Sequence, residues 1–138
     1  MVNRINGNRF EAEFCEELAD KGYWAHNMAQ NQSGQPADII AVRNQIAYLI
    51  DCKDCKNDRF PLSRIEPNQQ TAMTMWTLSG NDTGWFALKL TDGNIYMLSY
   101  NTLDFLKQSG KASLNKDEII AMGHEFEDWS CSHGYYNQ

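Results

Sequence analysis

The chain has 138 residues, of which 42% are hydrophobic and 12% aromatic, a composition typical of one globular domain and not of a disordered protein. No apolar run approaches the roughly 18 residues of a membrane span, and the N-terminus lacks the apolar core of a signal peptide, so we expect a cytoplasmic protein. The formal net charge of −6 counts against a nucleic-acid partner, but residues 1–66 hold eight of the twelve basic residues, so it does not exclude one.

The first predicted element is a helix from Arg9 to Lys21, which ends at Gly22. Most of its acidic residues follow a spacing that places them on one solvated face. Glu11 instead lies on or beside the apolar stripe that must face the core. A carboxylate there is costly unless it is paired or bound to a metal, and the alternative is a glutamate that reaches from the stripe edge into solvent.

A strand at 23–28 and a polar loop at 29–35 precede a predicted β-hairpin. Two apolar runs flank Arg43-Asn44-Gln45, and a two-residue turn at Asn44-Gln45 would pair residue 43 with 46, 40 with 49, and Asp38 with Asp51. A three-residue loop would shift one strand by a residue and separate the two aspartates. Lys53 lies two positions beyond Asp51, on the same face of the strand.

The remaining pattern predicts a charged loop at 54–59, a helix from Pro67 to about Leu78, strands at 85–90 and 95–98, and a helix from Asn101 to Gln108 capped by Asn101 or Thr102. The order α-β-β-β-α-β-β-α predicts an α/β sandwich with a mixed central sheet flanked by helices. We expect one domain over 1–138, with a core of about 7–120 and a C-terminal extension at 121–138.

Carboxylates crowded together in an apolar hairpin need a cation, because like charges placed opposite each other are destabilising. Two aspartates with a glutamate from a neighbouring helix suit Mg²⁺, a hard ion that prefers oxygen ligands, and the backbone carbonyl of Cys52 could add another. Such a site can hydrolyse phosphodiesters, with Lys53 orienting the attacking water or neutralising charge on the phosphate. The alternative is a plain Asp51–Lys53 salt bridge, with Asp38 exposed at a strand end.

Two further groups of residues each allow two interpretations. Cys52 and Cys55 could bind zinc together with Cys131 and His133, but the alternation along the strand favours structural cysteines. Basic residues after the hairpin could contact DNA phosphates, which supply affinity but not sequence specificity, or could belong to a solvated loop. These are Lys56, Arg59 and Arg64, which Arg4 and Arg9 could join.

The motif Asp38…Asp51-Cys52-Lys53 resembles the D…(D/E)-x-K signature of the restriction-endonuclease-like nuclease superfamily. The stretches 7–11, 21–23 and 33–41 resemble the G-x-x-x-E…K-G-[FY] and S-G…P-D-I-I-A segments of the archaeal-type Holliday-junction resolvases. Residues 51–73, with Phe60-Pro61-Leu62 and Gln69, are similar to the bacterial RecU-type resolvases. The likeness covers roughly residues 7–120.

The resemblance implies a three-layer restriction-endonuclease-like core and a Mg²⁺-dependent endonuclease, with Mn²⁺ as a substitute. It implies that Glu11, Asp38 and Asp51 bind the metal, that Lys53 is catalytic, and that Gln69 points into the site. Ser33 matches a serine of a catalytic loop. The implied partners are four-way or other branched DNA and a second copy of the chain, in the cytosol of a bacterium or a phage-infected cell.

Two other functions stay open at this point. The chain could be a nuclease of the same fold that cuts other branched or duplex DNA. It could also be a non-catalytic DNA-binding module that has kept the fold. Metal binding and cleavage of junctions and duplexes would separate these readings.

Overall fold

The computed structural model describes the backbone of residues 2–28 and 37–134, and the side chains of these residues from Arg9 onward. The helices are α1 (Val2–Asp20), α2 (Pro67–Leu78), α3 (Tyr100–Gln108), α4 (Lys116–Met122) and α5 (Phe126–Ser132). The strands are β1 (Trp24–Asn27), β2 (Ile39–Arg43), β3 (Ile46–Asp54), β4 (Phe60–Pro61), β5 (Trp85–Lys89), β6 (Ile95–Ser99), β7 (Ser113–Leu114) and β8 (His124–Glu125).

Six strands form one mixed sheet in the order β1-β2-β3-β5-β6-β8. The pair β3–β5 is parallel, and the other pairs of this sheet are antiparallel. β4 and β7 form a separate antiparallel pair. The predicted α/β class with a mixed central sheet is confirmed.

Two apolar clusters lie on opposite faces of the sheet and give the fold its three layers. One cluster contains Phe10, Phe14 and Leu18 of α1 together with Phe126 and Trp129 of α5. The other contains buried side chains of α2, α3 and α4, namely Met73, Leu103 and Ile119, and side chains of the segments around β4 and β7. The central sheet is therefore covered by helices on both faces.

The β2–β3 hairpin has the predicted register. Arg43 pairs with Ile46, and the ladder runs to Ile39 opposite Ile50. Asn44 and Gln45 form the turn with φ of 52° and 69°, the left-handed conformation of a two-residue type I′ turn. The next pair in this register is Asp38 with Asp51, and the backbone N–H of Asp38 donates to the carbonyl of Ile50 at 3.1 Å.

The predicted start of α1 at Arg9 is wrong, because the helix begins at Val2, and α4 and α5 were not predicted. The other predicted helix ends lie within one residue of those in the structure. The α1 helix ends before Gly22, whose φ is +94°, and α2 runs from Pro67 to Leu78 as predicted. The predicted cap of α3 is wrong. Ser99, not Asn101 or Thr102, is the N-cap, because its hydroxyl accepts from the backbone N–H of Thr102 at 3.1 Å.

The packed core continues past residue 120. Strand β8 pairs with β6, and α5 buries Phe126 and Trp129 against the layer of α1. The guanidinium of Arg43, at the hairpin turn, donates to the carbonyls of Ser130 and His133. The last helix is thereby tied to the hairpin that carries the two aspartates.

Within the described ranges, no helix is both long and apolar enough to span a bilayer.

Candidate active site

A cleft of about 620 Å³ opens where β2 begins and β3 ends, beside α1 and the first turn of α2. Its lining combines the residues of the D…D-x-K motif with basic residues of the loop that follows β3. The lining residues are Glu11, Asp38, Asp51, Cys52, Lys53, Asp54, Lys56, Asn57, Arg59, Pro61, Arg64, Glu66 and Gln69. The structure therefore brings nine of the twelve sequence-predicted site residues to one place.

Asp38 stands at the entrance to β2 and is held by the neighbouring strand. Its Oδ2 accepts a hydrogen bond from the backbone N–H of Cys52 at 2.8 Å. Besides burial and this hydrogen bond, the charge of Glu11 and the neighbouring carboxyl of Asp51 both affect the pKa of Asp38. Asp38 is thus the central carboxyl of the three and is not exposed at a free strand end.

Asp51 is the most deeply buried of these acids, with 1% of the residue exposed. Its Oδ2 lies 3.1 Å from Nζ of Lys53, which forms an ion pair with it. This contact lacks hydrogen-bond geometry, and no described residue donates a hydrogen bond to that oxygen. Lys53 compensates part of the charge of this oxygen, which still lacks the hydrogen bonds that a buried carboxylate oxygen usually accepts.

Glu11 comes to the cleft from the other layer of the fold. The helix face of α1 that carries Phe10 and Phe14 packs on the sheet, and Glu11 projects from its edge, half-buried. Glu13, Glu16 and Glu17 of the same helix are exposed, as the helical spacing predicts.

Burial raises the pKa of all three carboxyls, and charge repulsion among them adds to the effect. Burial raises the pKa of Glu11 to about 7, and the charge of Asp51 adds to the effect. Burial also raises the pKa of Asp38 to about 6, against the lowering effect of the Cys52 N–H. The pKa of Asp51 is raised by burial and by the charge of Asp38. Deprotonated carboxylates at these positions require more positive charge than Lys53 alone provides.

The donor set fits a hard divalent cation. The available atoms are carboxylate oxygens, one of them buried without a hydrogen bond, and Mg²⁺ prefers oxygen ligands and retains several waters. Among the described residues, no three His, Cys, Asp or Glu side chains are already arranged as a metal-binding group. The fit to a metal therefore rests on the type of ligand atoms in the cleft and on their location. A metal bound here would take some of its coordinating ligands from water or substrate.

The cysteines do not form a zinc site in the described part of the chain. Cys52 packs in the cluster of α1, whereas Cys55 packs in the cluster of α2, so their thiols belong to opposite layers. Burial raises the pKa of both thiols, that of Cys55 to about 11. Both cysteines serve as small apolar side chains, as the strand alternation predicts.

Gln69 lines the cleft, but its side chain also caps a helix. It is the third residue of α2, and its Oε1 accepts from the backbone N–H of Glu66 at 3.1 Å in a capping box. The residue is 6% exposed. Its position at the cleft is therefore fixed by the start of α2.

Basic side chains form the outer part of the cleft. Lys56 and Arg59 are exposed, and Nε of Arg59 donates to Oγ of Ser113 at 3.0 Å. Arg64 is half-buried and donates to the carbonyl of Asp54 at 3.0 Å, which closes the loop after β3.

The structure does not place every predicted DNA contact at the cleft. Arg9 is exposed on α1 and does not line the cleft, so its predicted role stays untested. Arg4 lies in the first part of α1, where side chains are outside the description, and Ser33 lies outside the described residues.

Sequence reasoning missed four lining residues: Asp54, Asn57, Pro61 and Glu66. Asp54 is the last residue of the strand that carries the D-x-K motif, and Asn57 lies in the loop after it; that position was the available signal. Glu66 precedes the proline that begins α2, a position typical of a helix cap.

The three layers, the mixed sheet and the carboxylate–lysine cleft define the class of restriction-endonuclease-like nucleases. Within this class, the family model described as archaeal Holliday junction resolvase (Hjc) matches residues 2–132, nearly the whole chain. The chain belongs to this family.

The solved structure of Hjc from Archaeoglobus fulgidus, a Holliday junction resolvase from an archaeal hyperthermophile, is similar in fold, with a TM-score of 0.68. Its sequence is 23% identical, and the match covers 90% of this chain and 99% of that chain. At this identity the likeness supports the fold alone. No significant match was found among curated proteins.

Proposed function

We propose that the protein resolves four-way DNA junctions by metal-dependent phosphodiester hydrolysis, with Mg²⁺ as the metal and Mn²⁺ as a substitute. As a member of the resolvase family, the chain is a metal-dependent endonuclease acting on branched DNA in recombination and repair. The observation that carries the proposal is the convergence of Glu11, Asp38 and Asp51 with Lys53 in one cleft.

Glu11, Asp38 and Asp51 would hold the metal through carboxylate oxygens, and the backbone carbonyl of Cys52 would add a ligand. When bound, the ion supplies Lewis-acid charge beside the scissile phosphate. The buried oxygen of Asp51 and the raised pKa values of the other two carboxyls support a cation at this position. The hydrogen bond from Cys52 N–H fixes Asp38 so that its second oxygen can turn to the ion.

Lys53 acts on the reacting phosphate from the same face of β3. Its side chain is 13% exposed, and its ion pair with Asp51 keeps the ammonium at the floor of the cleft. An ammonium there can orient the attacking water and stabilise charge that develops on the phosphate oxygens. Gln69 and Ser33 would help to orient the substrate.

The outer basic residues would bind the DNA backbone. The cleft lining holds four basic and five acidic residues, 4 − 5 = −1, and a divalent ion changes this sum to +1. Lys56, Arg59 and Arg64 would contact phosphates near the cleft, and Arg4 and Arg9 would extend the contact along α1. The net negative charge of the whole chain therefore does not describe the charge of the surface that would bind DNA.

A homodimer fits a substrate with two-fold symmetry, since each copy would cut one of two equivalent strands. We place the protein in the cytoplasm, where its DNA substrate would be found.

The test is cleavage of a synthetic four-way junction and of a linear duplex of the same sequence in Mg²⁺. The proposal predicts paired, symmetry-related cuts in the junction and little cutting of the duplex. Equal cutting of both would support a general nuclease of the same fold. No cutting and no metal binding would support a non-catalytic DNA-binding module.

A further inference from the structure

The loop and short strand after β3, residues 55–64, form the outer wall of the cleft, and we name them the basic segment. It carries Lys56, Arg59 and Arg64, three of the proposed phosphate-binding side chains. Lys56 and Arg59 are exposed, so the segment contributes little apolar burial of its own at these positions. Cys55, Phe60 and Leu62 of the segment are buried in the apolar cluster of α2, so the core anchors its ends. A further contact is needed to hold residues 56–59, which lie between these anchors.

Backbone and side-chain contacts fix the two ends of the basic segment. At its start, the N–H of Cys55 donates to the carbonyl of Lys89 on β5 at 2.8 Å. At its end, the N–H of Leu62 donates to the carbonyl of Ala112 at 2.9 Å, and Phe60 pairs with Leu114. Between these anchors the chain must turn, and Asp58 lies at that turn.

Asp58 joins the middle of the segment to the turn between β5 and β6. Its Oδ1 accepts from the backbone N–H of Thr91 at 2.8 Å, and the Thr91 hydroxyl lies 2.8 Å from Oδ2 and 3.0 Å from Oδ1. The Asp58 N–H also donates to the carbonyl of Cys55 at 3.1 Å. The hydrogen bond from the Thr91 N–H lowers the pKa of Asp58 most, and the bond from the Thr91 hydroxyl lowers it further. Asp58 therefore remains charged at neutral pH.

The backbone conformation of Asp58 restricts which residue types this turn accepts. Its φ is +52°, a left-handed conformation that only glycine, asparagine and aspartate adopt readily. A negative charge between Lys56 and Arg59 would by itself weaken binding to phosphates. Its presence there is explained if the carboxylate holds the backbone between the two cations.

We propose that Asp58, through Thr91, is a positioning residue that sets Lys56 and Arg59 for contact with the DNA backbone. The inference rests on the proposed function. Asp58 itself touches neither the substrate nor the reacting atoms; it fixes the path of the segment that does. The carboxylates and Lys53 lie on α1, β2 and β3 and do not depend on this contact.

The test compares Asp58→Gly with the natural chain in binding and cleavage of a four-way junction. Glycine tolerates the positive φ, so this variant removes the contacts to Thr91 without adding backbone strain. We expect the KM for junction DNA to rise about tenfold with kcat nearly unchanged, because phosphate contacts are lost and the reacting groups are not. We also expect the slope of log K against log salt to become shallower by about one.

The direction of the change in DNA affinity distinguishes a positioning role of Asp58 from an effect of its charge alone. Removing one negative charge should tighten DNA binding if Asp58 acts only through its charge, whereas loss of positioning should weaken it. Asp128→Asn, an exposed acid on α5 in the layer of α1, is the matched control and should leave KM unchanged or lower it slightly. Asp58→Asn keeps the left-handed turn and one acceptor oxygen, and should restore most of the affinity.

Two results would overturn the inference. One is an unchanged or lowered KM in Asp58→Gly, and the other is an unchanged salt slope. Binding measured without divalent metal gives the same comparison independently of cleavage. A natural chain that binds the junction but does not cut it would instead count against the proposed function.

Discussion

Asp51 is the residue at which burial and charge conflict most strongly. It is 1% exposed, its pKa is raised by burial and by Asp38, and one of its oxygens accepts no hydrogen bond from the described residues. Lys53 at 3.1 Å compensates part of this charge. Such an arrangement costs stability in the absence of a cation and is typical of sites where a ligand supplies what the fold does not.

Lys53→Ala should reduce junction cleavage at least about a hundredfold while leaving the fold and most junction binding intact. The ammonium is lost from the floor of the cleft, but the outer cations remain. The measurement is single-turnover cleavage in Mg²⁺, with circular dichroism as the check on folding. Lys89→Ala is the matched control, because Lys89 lies on the neighbouring strand but faces α1 and contacts the Phe10 ring. Normal cleavage by Lys53→Ala would remove this residue from the mechanism.

The raised pKa values of Glu11 and Asp38 predict a pH dependence of stability with a definite sign. A group with a raised pKa in the fold adds stability at low pH that is lost as the pH rises through the folded value. Without metal, stability should therefore fall as the pH rises from the ordinary carboxyl values of 4.5 and 3.8 toward about 7 and about 6, the folded values of Glu11 and Asp38.

Mg²⁺ should reverse this trend, because it binds the deprotonated carboxylates. Thermal melting between about pH 4 and about pH 8, with and without Mg²⁺, measures the effect. Glu11→Gln should flatten the metal-free curve, whereas Glu13→Gln, an exposed change of the same kind on the same helix, should not. A metal-free protein whose stability rises over this range would contradict the assigned shifts.

At the scale of single elements, the β2–β3 hairpin determines the geometry of the site. Its register depends on a two-residue turn, and a slip of one residue would move Asp51 and Lys53 to the other face of β3. Asn44 tolerates its left-handed conformation, and its amide donates to the carbonyl of Gly134. Gln45, with φ of 69°, is the less favourable residue of the turn.

Gln45→Gly should therefore raise the free energy of unfolding by about 0.5–1 kcal/mol, since Asn-Gly is the preferred sequence of a type I′ turn. Denaturant unfolding should show a higher midpoint with an unchanged slope. Gln45→Val, a β-branched residue at the same φ, should act in the opposite direction. Destabilisation by glycine would show that the side chain of Gln45 contributes more than its backbone conformation costs.

The hairpin, α1 and α2 could be predicted because each has a strong local signal. Apolar alternation and Asn44 mark the hairpin, Gly22 ends α1, and Pro67 begins α2. The cap of α3 was misplaced by two residues or more, because Ser99, Asn101 and Thr102 are all good caps and only the backbone decides between them. The short strands β4, β7 and β8 have no local pattern, since two residues are too few for one.

At the scale of the whole molecule, Arg43 links the hairpin turn to the C-terminal helix. It is buried, stacks 4.0 Å from the centre of the Tyr23 ring, and donates to the carbonyls of Lys21, Ser130 and His133. Sequence reasoning placed the end of the core near residue 120, where the likeness to the resolvases also ends. The contacts that hold this part are aromatic and long-range, and they involve Phe14, Tyr23, Tyr48 and Trp85.

More of the candidate site than of the surrounding fold could be predicted from the sequence. The acids and the lysine of the motif come together once one hairpin and one helix are placed, and the sequence predicted both elements. The contact between Asp58 and Thr91 was not readable, because it joins two loops 33 residues apart and depends on a left-handed backbone at one residue.

The most direct test of the account is a calorimetric titration of the protein with Mn²⁺ and with Mg²⁺. We expect binding by the natural chain and at least about tenfold weaker binding by Asp51→Asn, a change that keeps the shape of the side chain and removes its charge. Glu13→Gln should bind as the natural chain does. No binding by the natural chain, or equal binding by Asp51→Asn, would contradict the account.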